Sequence, residues 1–404
     1  MTYQICTRCI YDTKVPNIIF DHQGVCNYCS QIDEPSAMYP NDERGNVELQ
    51  RIVDDIRMED KYILQYGSLA GWPHKVAESL RSKGVNSKNV IFYDKDVADL
   101  NRELSFDRAL CDKNDSFFRK SIAIPKFIHE AARDCSLIHY HSSNIFFREL
   151  HWLYEGPILK KAGIPMLMSF GGGDARPLAM ANALNPYFYK ENNKVQDLII
   201  TARYKSWSKN IKFCATEPEM AKYAAPHFEK VFTFRQPVDL KKIVSVIPSA
   251  ENTCPVVLHI PTEPWVKGTE EIINAVKALK DKGMVFEFRL KRLLTQEQMY
   301  KEIIDCDVYI DELKCGSHGV TSVETMAAGK PTVTYIRPDL IEDFPESLPL
   351  VIANPDTIES VLRRLIEDPE LRRDIGIASR AYVEKYHDVN VVTDNLLKIY
   401  HEIS

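Results

Sequence analysis

The chain has 404 residues and a formal net charge of −6, with 45% hydrophobic and 27% charged residues. This length exceeds what one hydrophobic core usually organises, so we expect two domains of ordinary size, and the negative charge argues against a nucleic-acid partner. No stretch approaches the roughly 18 apolar residues of a membrane helix, and the N-terminus lacks an apolar signal core. These features predict a cytoplasmic protein without a transmembrane segment.

Four of the ten cysteines cluster near the N-terminus. Cys6-x-x-Cys9 and Cys26-x-x-Cys29 have the spacing of a structural zinc site with four thiolate ligands. Free or disulfide-linked cysteines are the alternative. The spacing predicts a zinc-binding module over residues 1–40, and the polar stretch that follows is typical of a linker.

Short apolar runs alternate with helical patterns over residues 58–245. Such alternation is typical of a parallel sheet with helices on both faces. A glycine-rich turn, Gly67–Gly71, separates the first strand from a helix. The predicted strands are residues 62–66, 90–93, 136–140, 165–170, 198–201, 212–215 and 231–234.

The alternation restarts after Ser249 and continues over residues 250–385. Thr295 and Gln298 form a capping-box pattern at the start of one helix. Residues 386–404 form a last helix, for which the first domain is the candidate packing partner. The pattern predicts an α/β protein with two doubly wound, Rossmann-like domains that face a cleft. The predicted strands are residues 256–260, 286–290, 308–310, 332–336 and 351–353.

Two stretches of the second domain have the character of a phosphate site. Lys267-Gly-Thr follows the first strand and precedes a helix, and Gly316–Thr321 follows another strand and runs into a helix that carries Glu324. Helix N-termini beyond the carboxyl ends of parallel strands bind phosphate, and an acidic residue nearby binds a ribose diol in other nucleotide sites. A capping turn at Lys267 and a glutamate stabilised by the helix dipole are the alternatives.

The pattern extends further, as Asp307-Val-Tyr-Ile-Asp and then Gly316-x-x-Gly-x-x-x-x-Glu324-x-Met-Ala-x-Gly-Lys-Pro. Together with Lys267-Gly-Thr, it resembles the donor domain of retaining GT-B glycosyltransferases of the family 4 type. The resemblance implies a GT-B fold and a nucleotide-sugar donor. It also implies that Lys267 contacts the diphosphate, that the amides of Gly316–Thr321 contact phosphate and sugar, and that Glu324 contacts the ribose.

Three positions depart from that family's pattern. Gly316 stands where the family has the first of two glutamates, Pro261 where many members have an arginine, and Gly171 where a histidine is common. Lys291 or Arg292, at the end of a predicted strand, is a candidate replacement for the lost cation, with surface solvation as the alternative. His318 is the first candidate for the missing polar group beside the reacting sugar.

The first domain offers further candidates. Phe170-Gly-Gly-Gly-Asp-Ala-Arg176 follows a strand, and successive glycines are costly unless the backbone must approach something closely. His139 and His141, at the end of another predicted strand, are further candidates for the missing polar group, although a lone histidine is more often structural. The predicted catalytic residues are Lys267, Glu324 and His318. The predicted ligand-binding residues are Gly71, Gly172, Gly173, Arg292, Gly316, Ser317, Gly319, Val320 and Thr321. The predicted metal ligands are Cys6, Cys9, Cys26 and Cys29.

The cysteine segment also resembles a known module. Cys6-Thr-Arg-Cys-Ile-Tyr-Asp and Gly24-Val-Cys-Asn-Tyr-Cys29 are similar to the N-terminus of N-acetyl sugar amidotransferases of surface-polysaccharide pathways. The loop Ser-Gly-Gly-x-Asp-Ser that follows in those enzymes is absent here.

Together the two resemblances imply a retaining glycosyltransferase of a bacterial-type surface-glycan or glycoprotein pathway. The enzyme would use a nucleotide-sugar donor, structural zinc and a sugar, lipid-linked or protein acceptor. Clusters of aromatic and basic residues suit either peripheral membrane contact or burial in amphipathic helices. The alternatives are a zinc-dependent adaptor with an inactive GT-B body, an amidotransferase and a nucleotide-sugar epimerase.

Overall fold

A computed structural model describes residues 3–38, 43, 47, 61–68, 71–93, 105–112, 114–141, 153–173, 175–345 and 348–404. The chain divides into two compact units, Met1–Lys61 and Tyr62–Ser404. The small first unit contains two isolated β-bridges, Ile5 with Asp12 and Phe20 with Cys26, followed by helix α1 (Asn27–Met38). Its core consists of the four clustered cysteines with apolar side chains around them.

The large unit begins with a seven-stranded parallel sheet in the order β3-β2-β1-β4-β5-β6-β7. Its central strands are almost continuously buried because helices cover both faces. The strands are β1 (Tyr62–Tyr66), β2 (Ser87–Tyr93), β3 (Arg108–Cys111), β4 (Cys135–His141), β5 (Met166–Ser169), β6 (Phe213–Thr216) and β7 (Lys230–Thr233). The helices between them are α2 (Trp72–Ser82), α3 (Phe117–Asp134), α4 (Glu155–Lys161), α5 (Leu178–Leu184), α6 (Lys194–Trp207) and α7 (Pro218–Ala224).

One predicted strand of this half is wrong. Residues 198–201 lie inside helix α6. Asn193 caps this helix, because its side chain accepts hydrogen bonds from the amides of Val195 and Gln196. Ile200, Tyr204 and Trp207 are buried at helical spacing, whereas Leu198 is 70% exposed. The short apolar run is therefore part of an amphipathic helix. Strand β3 was not predicted.

The second half holds a five-stranded parallel sheet in the order β12-β11-β10-β8-β9. The predicted capping box at Thr295 and Gln298 is confirmed. The strands are β8 (Val256–His259), β9 (Glu287–Leu290), β10 (Val308–Ile310), β11 (Thr332–Thr334) and β12 (Val351–Ile352). The helices are α8 (Pro264–Lys267), α9 (Thr269–Asp281), α10 (Gln296–Asp305), α11 (Val320–Ala327), the 3-10 helix Pro338–Asp343, α12 (Ile358–Glu367), α13 (Pro369–Tyr386) and α14 (Val389–Ile403).

The chain passes between the two sheets twice. The two passages pair with each other, since the Val238 amide donates to the His387 carbonyl at 2.8 Å and the Val389 amide donates to the Val238 carbonyl at 2.9 Å. Beyond this point α14 packs with α2 against the first sheet, through buried residues such as Leu396 and Tyr400. Among the described helices, none is both long enough and apolar enough to cross a membrane.

Candidate functional site

The topology of the second sheet marks one place for a ligand. From β8 the chain goes to β9 on one side and returns to β10 on the other, so the loops that leave β8 and β10 diverge. In open parallel sheets, ligands bind in the crevice beyond the carboxyl ends of the strands at such a switch point. A cavity of about 320 Å³ lies here, lined by residues of both halves of the large unit.

The first half contributes the turn after β1 and the start of α2. Gly67 has a φ of +119°, and a Cβ at this position would clash with the carbonyl oxygen of His141, so only glycine fits. The predicted ligand-binding residue Gly71, with a φ of +74°, caps α2 and lines the cavity. His74, Lys75 and Glu78, on the first two turns of α2, also line it.

Lys267 lines the cavity at the end of α8, but its ammonium group already has two partners. Nζ donates to Asp311 Oδ1 at 2.6 Å and to Glu312 Oε2 at 2.8 Å. Burial alone would lower the pKa of Lys267, yet the two carboxylates raise it well above its ordinary value. Lys267 is therefore a cation whose charge is balanced within the protein.

The two carboxylates differ in character. Burial tends to raise the pKa of Asp311, but Lys267 and a hydrogen bond from the Ser322 hydroxyl, at 2.5 Å, lower it overall. Burial and the charge of Asp311 raise the pKa of Glu312 above its ordinary value. The pair lies beside Gly319, since a Cβ there would be 3.5 Å from Asp311 Oδ2. Asp311 therefore contacts the start of α11 through the Ser322 hydroxyl.

Glu324 lies in the cavity wall on the second turn of α11 and is 5% exposed. Its Oε1 accepts a hydrogen bond of 3.0 Å from the Tyr300 hydroxyl and lies 3.8 Å from Lys75 Nζ. The lysine comes from α2 in the first half, so this weak ion pair spans the cavity.

The wall beside Tyr300 is largely apolar and is formed by Ile260, Leu293, Leu294 and Met299. The predicted residues Val320 and Thr321 complete the opposite side, where the first turn of α11 has no side-chain cap. Apolar side chains, the Glu324 carboxylate and an uncapped helix N-terminus therefore line one cavity.

The loop before α11 is packed rather than open. Gly316 has a φ of +86°, and a Cβ there would lie 2.6 Å from Arg337 Cγ and 2.8 Å from Asn185 Nδ2. Ser317 and His318 are buried, and neither ring nitrogen of His318 has a hydrogen-bond partner among the described residues. Burial lowers the pKa of His318, which keeps its ring neutral. None of these three residues lines the cavity.

The other predicted residues, Arg292, Gly172, Gly173 and Gly319, do not line the cavity. Arg292 is exposed on the loop after β9. A Cβ at Gly172 would meet nothing within 4 Å, and one at Gly173 only Lys190 Nζ, at 3.9 Å. Arg176 makes a buried bidentate ion pair with Glu219, at 2.8 Å for both contacts, and Asp174 lies outside the described residues.

Sequence reasoning missed Lys75, Tyr300, Asp311 and Glu312. Asp311 and Glu312 follow β10 directly, so their position at the sheet edge was readable from the strand pattern. The contact between Lys75 and Glu324 joins residues of different sheets, and no local pattern signals it.

The four cysteines of the small unit come together. Their Sγ atoms all lie within 4.8 Å of one another, with Cys6 and Cys29 at 3.8 Å and Cys9 and Cys26 at 3.6 Å. Tetrahedral coordination at about 2.3 Å per Zn–S bond gives sulfur separations of about 3.8 Å. The amide of Cys26 also donates to Cys6 Sγ at 3.3 Å, as suits a thiolate. The donor set fits a tetrahedral metal ion.

Solved structures of the same architecture cover most of the chain. HepE of Anabaena, solved in complex with UDP, has a TM-score of 0.58 and 14% identity over 85% of this chain and 100% of its own. Sucrose-phosphate synthase of Thermosynechococcus elongatus gives 0.56 and 13% over 85% and 99%. The catalytic domain of starch synthase IV of Arabidopsis thaliana, bound to ADP and acarbose, gives 0.51 and 11% over 85% and 99%.

No protein-family model matches the sequence, and no curated protein matches it. The structural likeness extends over both parallel sheets, at identities that establish the fold alone. The expected fold class is confirmed: the large unit has the GT-B fold of these glycosyltransferases, and a cluster of four cysteines precedes it.

Proposed function

We propose that the chain is a glycosyltransferase that takes its sugar from a nucleotide-sugar donor. The observation that carries this proposal is the set of groups around the cavity: an apolar slot beside Tyr300, the Glu324 carboxylate and the uncapped first turn of α11. These groups suit a base, a ribose and a diphosphate in sequence along one cleft. The solved structures of HepE with UDP and with UDP-glucose support a donor of this class.

In this proposal, Glu324 accepts hydrogen bonds from the ribose hydroxyls, and the amides of Val320 and Thr321 bind the diphosphate. Transfer retains the configuration of the sugar, as the likeness to family 4 implies. The resemblance of the cysteine segment to the N-terminus of N-acetyl sugar amidotransferases supports a role in a surface-glycan or glycoprotein pathway. A structural zinc ion bound by Cys6, Cys9, Cys26 and Cys29 stabilises the small unit.

A second candidate is an adaptor with an inactive GT-B body. Two observations favour it: Asp311 and Glu312 already neutralise Lys267, and Arg337 and Asn185 fill the space over Gly316 where the family has a glutamate. We favour the enzyme because the cavity itself remains open and Glu324 faces it.

Ligand-induced stabilisation tests the proposal. The full chain is heated with UDP, ADP, GDP, CMP and their sugar conjugates, and one nucleotide class is expected to stabilise it by about 2.7 kcal/mol at 100 times its Kd. Glu324→Ala is expected to abolish this effect. Glu297→Ala, an exposed glutamate on α10 outside the cavity, is the matched control and keeps it.

Two results oppose the proposal in different ways. No stabilisation by any nucleotide or nucleotide sugar refutes it. If a nucleotide sugar stabilises the chain but is not slowly hydrolysed to free sugar, the adaptor is favoured instead.

A further inference from the structure

We propose that Lys75 is the residue that binds the donor's diphosphate, and that it leaves Glu324 for the diphosphate when the donor enters. This inference rests on the proposed function and assigns a specific protein partner to the diphosphate of the donor. Lys75 is on α2, in the first half of the large unit, whereas the sequence pattern pointed to Lys267 in the second half.

The first step concerns charge. A nucleoside diphosphate carries two or more negative charges, and its burial in a cleft needs compensating cations. Lys267 compensates Asp311, with a second contact to Glu312, and its ammonium lies at 2.6 and 2.8 Å from their oxygens. A further anion beside this group would meet two carboxylates as well as one cation. Pro261 supplies no charge where the family often has an arginine.

The second step compares the other basic side chains that line the cavity. Among the described residues these are His74, Lys75 and Lys242. His74 lies between two acidic residues, at 3.5 Å from Glu78 and 3.9 Å from Asp107. The Lys242 side chain is 66% exposed, so water screens its charge. The Lys75 side chain is only 20% exposed, which makes its charge more effective.

The third step concerns the bond that Lys75 gives up. Its Nζ lies 3.8 Å from Glu324 Oε1, which is beyond hydrogen-bond distance and marks a weak ion pair. When a ribose diol donates hydrogen bonds to Glu324, the carboxylate gains a new partner. The diphosphate is attached to the same ribose and therefore lies near Lys75. Rotation of the flexible lysine side chain then exchanges a loose contact for charge-assisted hydrogen bonds.

The exchange also couples the two halves of the large unit. Lys75 is on α2, which packs on the first sheet, whereas Glu324 and the first turn of α11 belong to the second. A donor held by both sides therefore draws them together over the reacting sugar. The leaving diphosphate receives its cation from the sheet opposite the one that binds the base.

Paired titrations of diphosphate and nucleoside test the assignment. Binding of UDP, ADP and GDP to the full chain is measured by calorimetry, together with the nucleoside of the diphosphate that binds best. Lys75→Met is expected to weaken that diphosphate about tenfold, which corresponds to about 1.4 kcal/mol, and to leave the nucleoside within about twofold of wild type. Lys75→Arg is expected to restore most of the affinity, and Lys242→Met serves as the matched control.

Three results would overturn the assignment. Lys75→Met could bind the diphosphate as the wild type does, the diphosphate and the nucleoside could weaken equally, or Lys242→Met could show the larger diphosphate-specific loss. A wild-type chain that binds none of the three diphosphates overturns the Lys75 role, whereas the proposed function is refuted only if the thermal screen, CMP and its sugar conjugates included, is negative as well. Thermal unfolding of each variant establishes that it is folded, and Lys75→Gln replaces Lys75→Met if the latter is not.

Discussion

The hydroxyl of Tyr400 lies 2.7 Å from Nδ1 of His139 and connects the last helix of the chain to the centre of the first sheet. The other ring nitrogen of His139 lies 2.7 Å from the Ser169 hydroxyl, which in turn donates to the carbonyl of Ala215. Gln65 donates to the Tyr400 oxygen at 2.9 Å and accepts from His141 Nε2 at 2.8 Å. These directions are consistent when both histidines are neutral.

Replacement of Tyr400 by phenylalanine should therefore destabilise the large unit. The variant leaves Gln65 without an acceptor and His139 Nδ1 without a donor, in a buried site, at an expected cost of about 1 to 3 kcal/mol. Urea unfolding measures the change. Tyr386→Phe, on the half-buried tyrosine at the end of α13, is the control and should cost less than about 0.5 kcal/mol. Equal effects of both variants would contradict the role of the network.

Stability should fall in mild acid because several histidines are buried in neutral form. Burial lowers the pKa of His141 to about 3, whereas the unfolded value is 6.5. The contribution of His141 is therefore fully present above pH 6.5 and is lost as pH falls toward 3, at up to about 1.4 kcal/mol per pH unit. His141→Gln should reduce this slope between pH 6 and pH 4.5 in urea unfolding. His401→Gln, at an exposed position, should leave the slope unchanged.

The cysteine cluster should bind about one zinc ion per chain, and Cys26→Ser should lose it. The loss should unfold the small unit, seen as rapid proteolysis before residue 61, while the GT-B unit keeps its thermal transition. Mass-spectrometric metal analysis and limited proteolysis measure the two effects. Cys254→Ser removes an exposed cysteine far along the chain and should retain the metal. Metal retention by Cys26→Ser would refute the site.

Gly316→Ala separates backbone strain from crowding. Gly316 and Gly84 have φ values of +86° and +81°, but only Gly316 faces other atoms, since a Cβ at Gly84 would meet nothing within 4 Å. Gly84→Ala should cost about 1 to 2 kcal/mol from the left-handed backbone alone. Gly316→Ala should cost at least about 1 kcal/mol more in urea unfolding, because Arg337 and Asn185 must move. Equal costs would show that this loop is not packed as described.

Local signals predicted much of the fold. The capping box at Thr295, the alternation of strands and helices and the spacing of the cysteines each depend on residues within a few positions of one another. The error at residues 198–201 has the same origin, since four apolar or β-branched residues suit a strand or a buried helix equally. The cap at Asn193 and the burial of Trp207 stabilise the helix over these residues.

The α/β class, the cysteine cluster and the place of Lys267 and Glu324 beside a sheet edge follow from local sequence patterns, because period, spacing and strand order are properties of short segments. The partners of these residues follow only from the way the chain folds. Lys267 binds carboxylates 44 and 45 residues away, and Glu324 faces Lys75 from another sheet. Charge balance in a cleft depends on every side chain that the fold brings there, and no single segment contains that information.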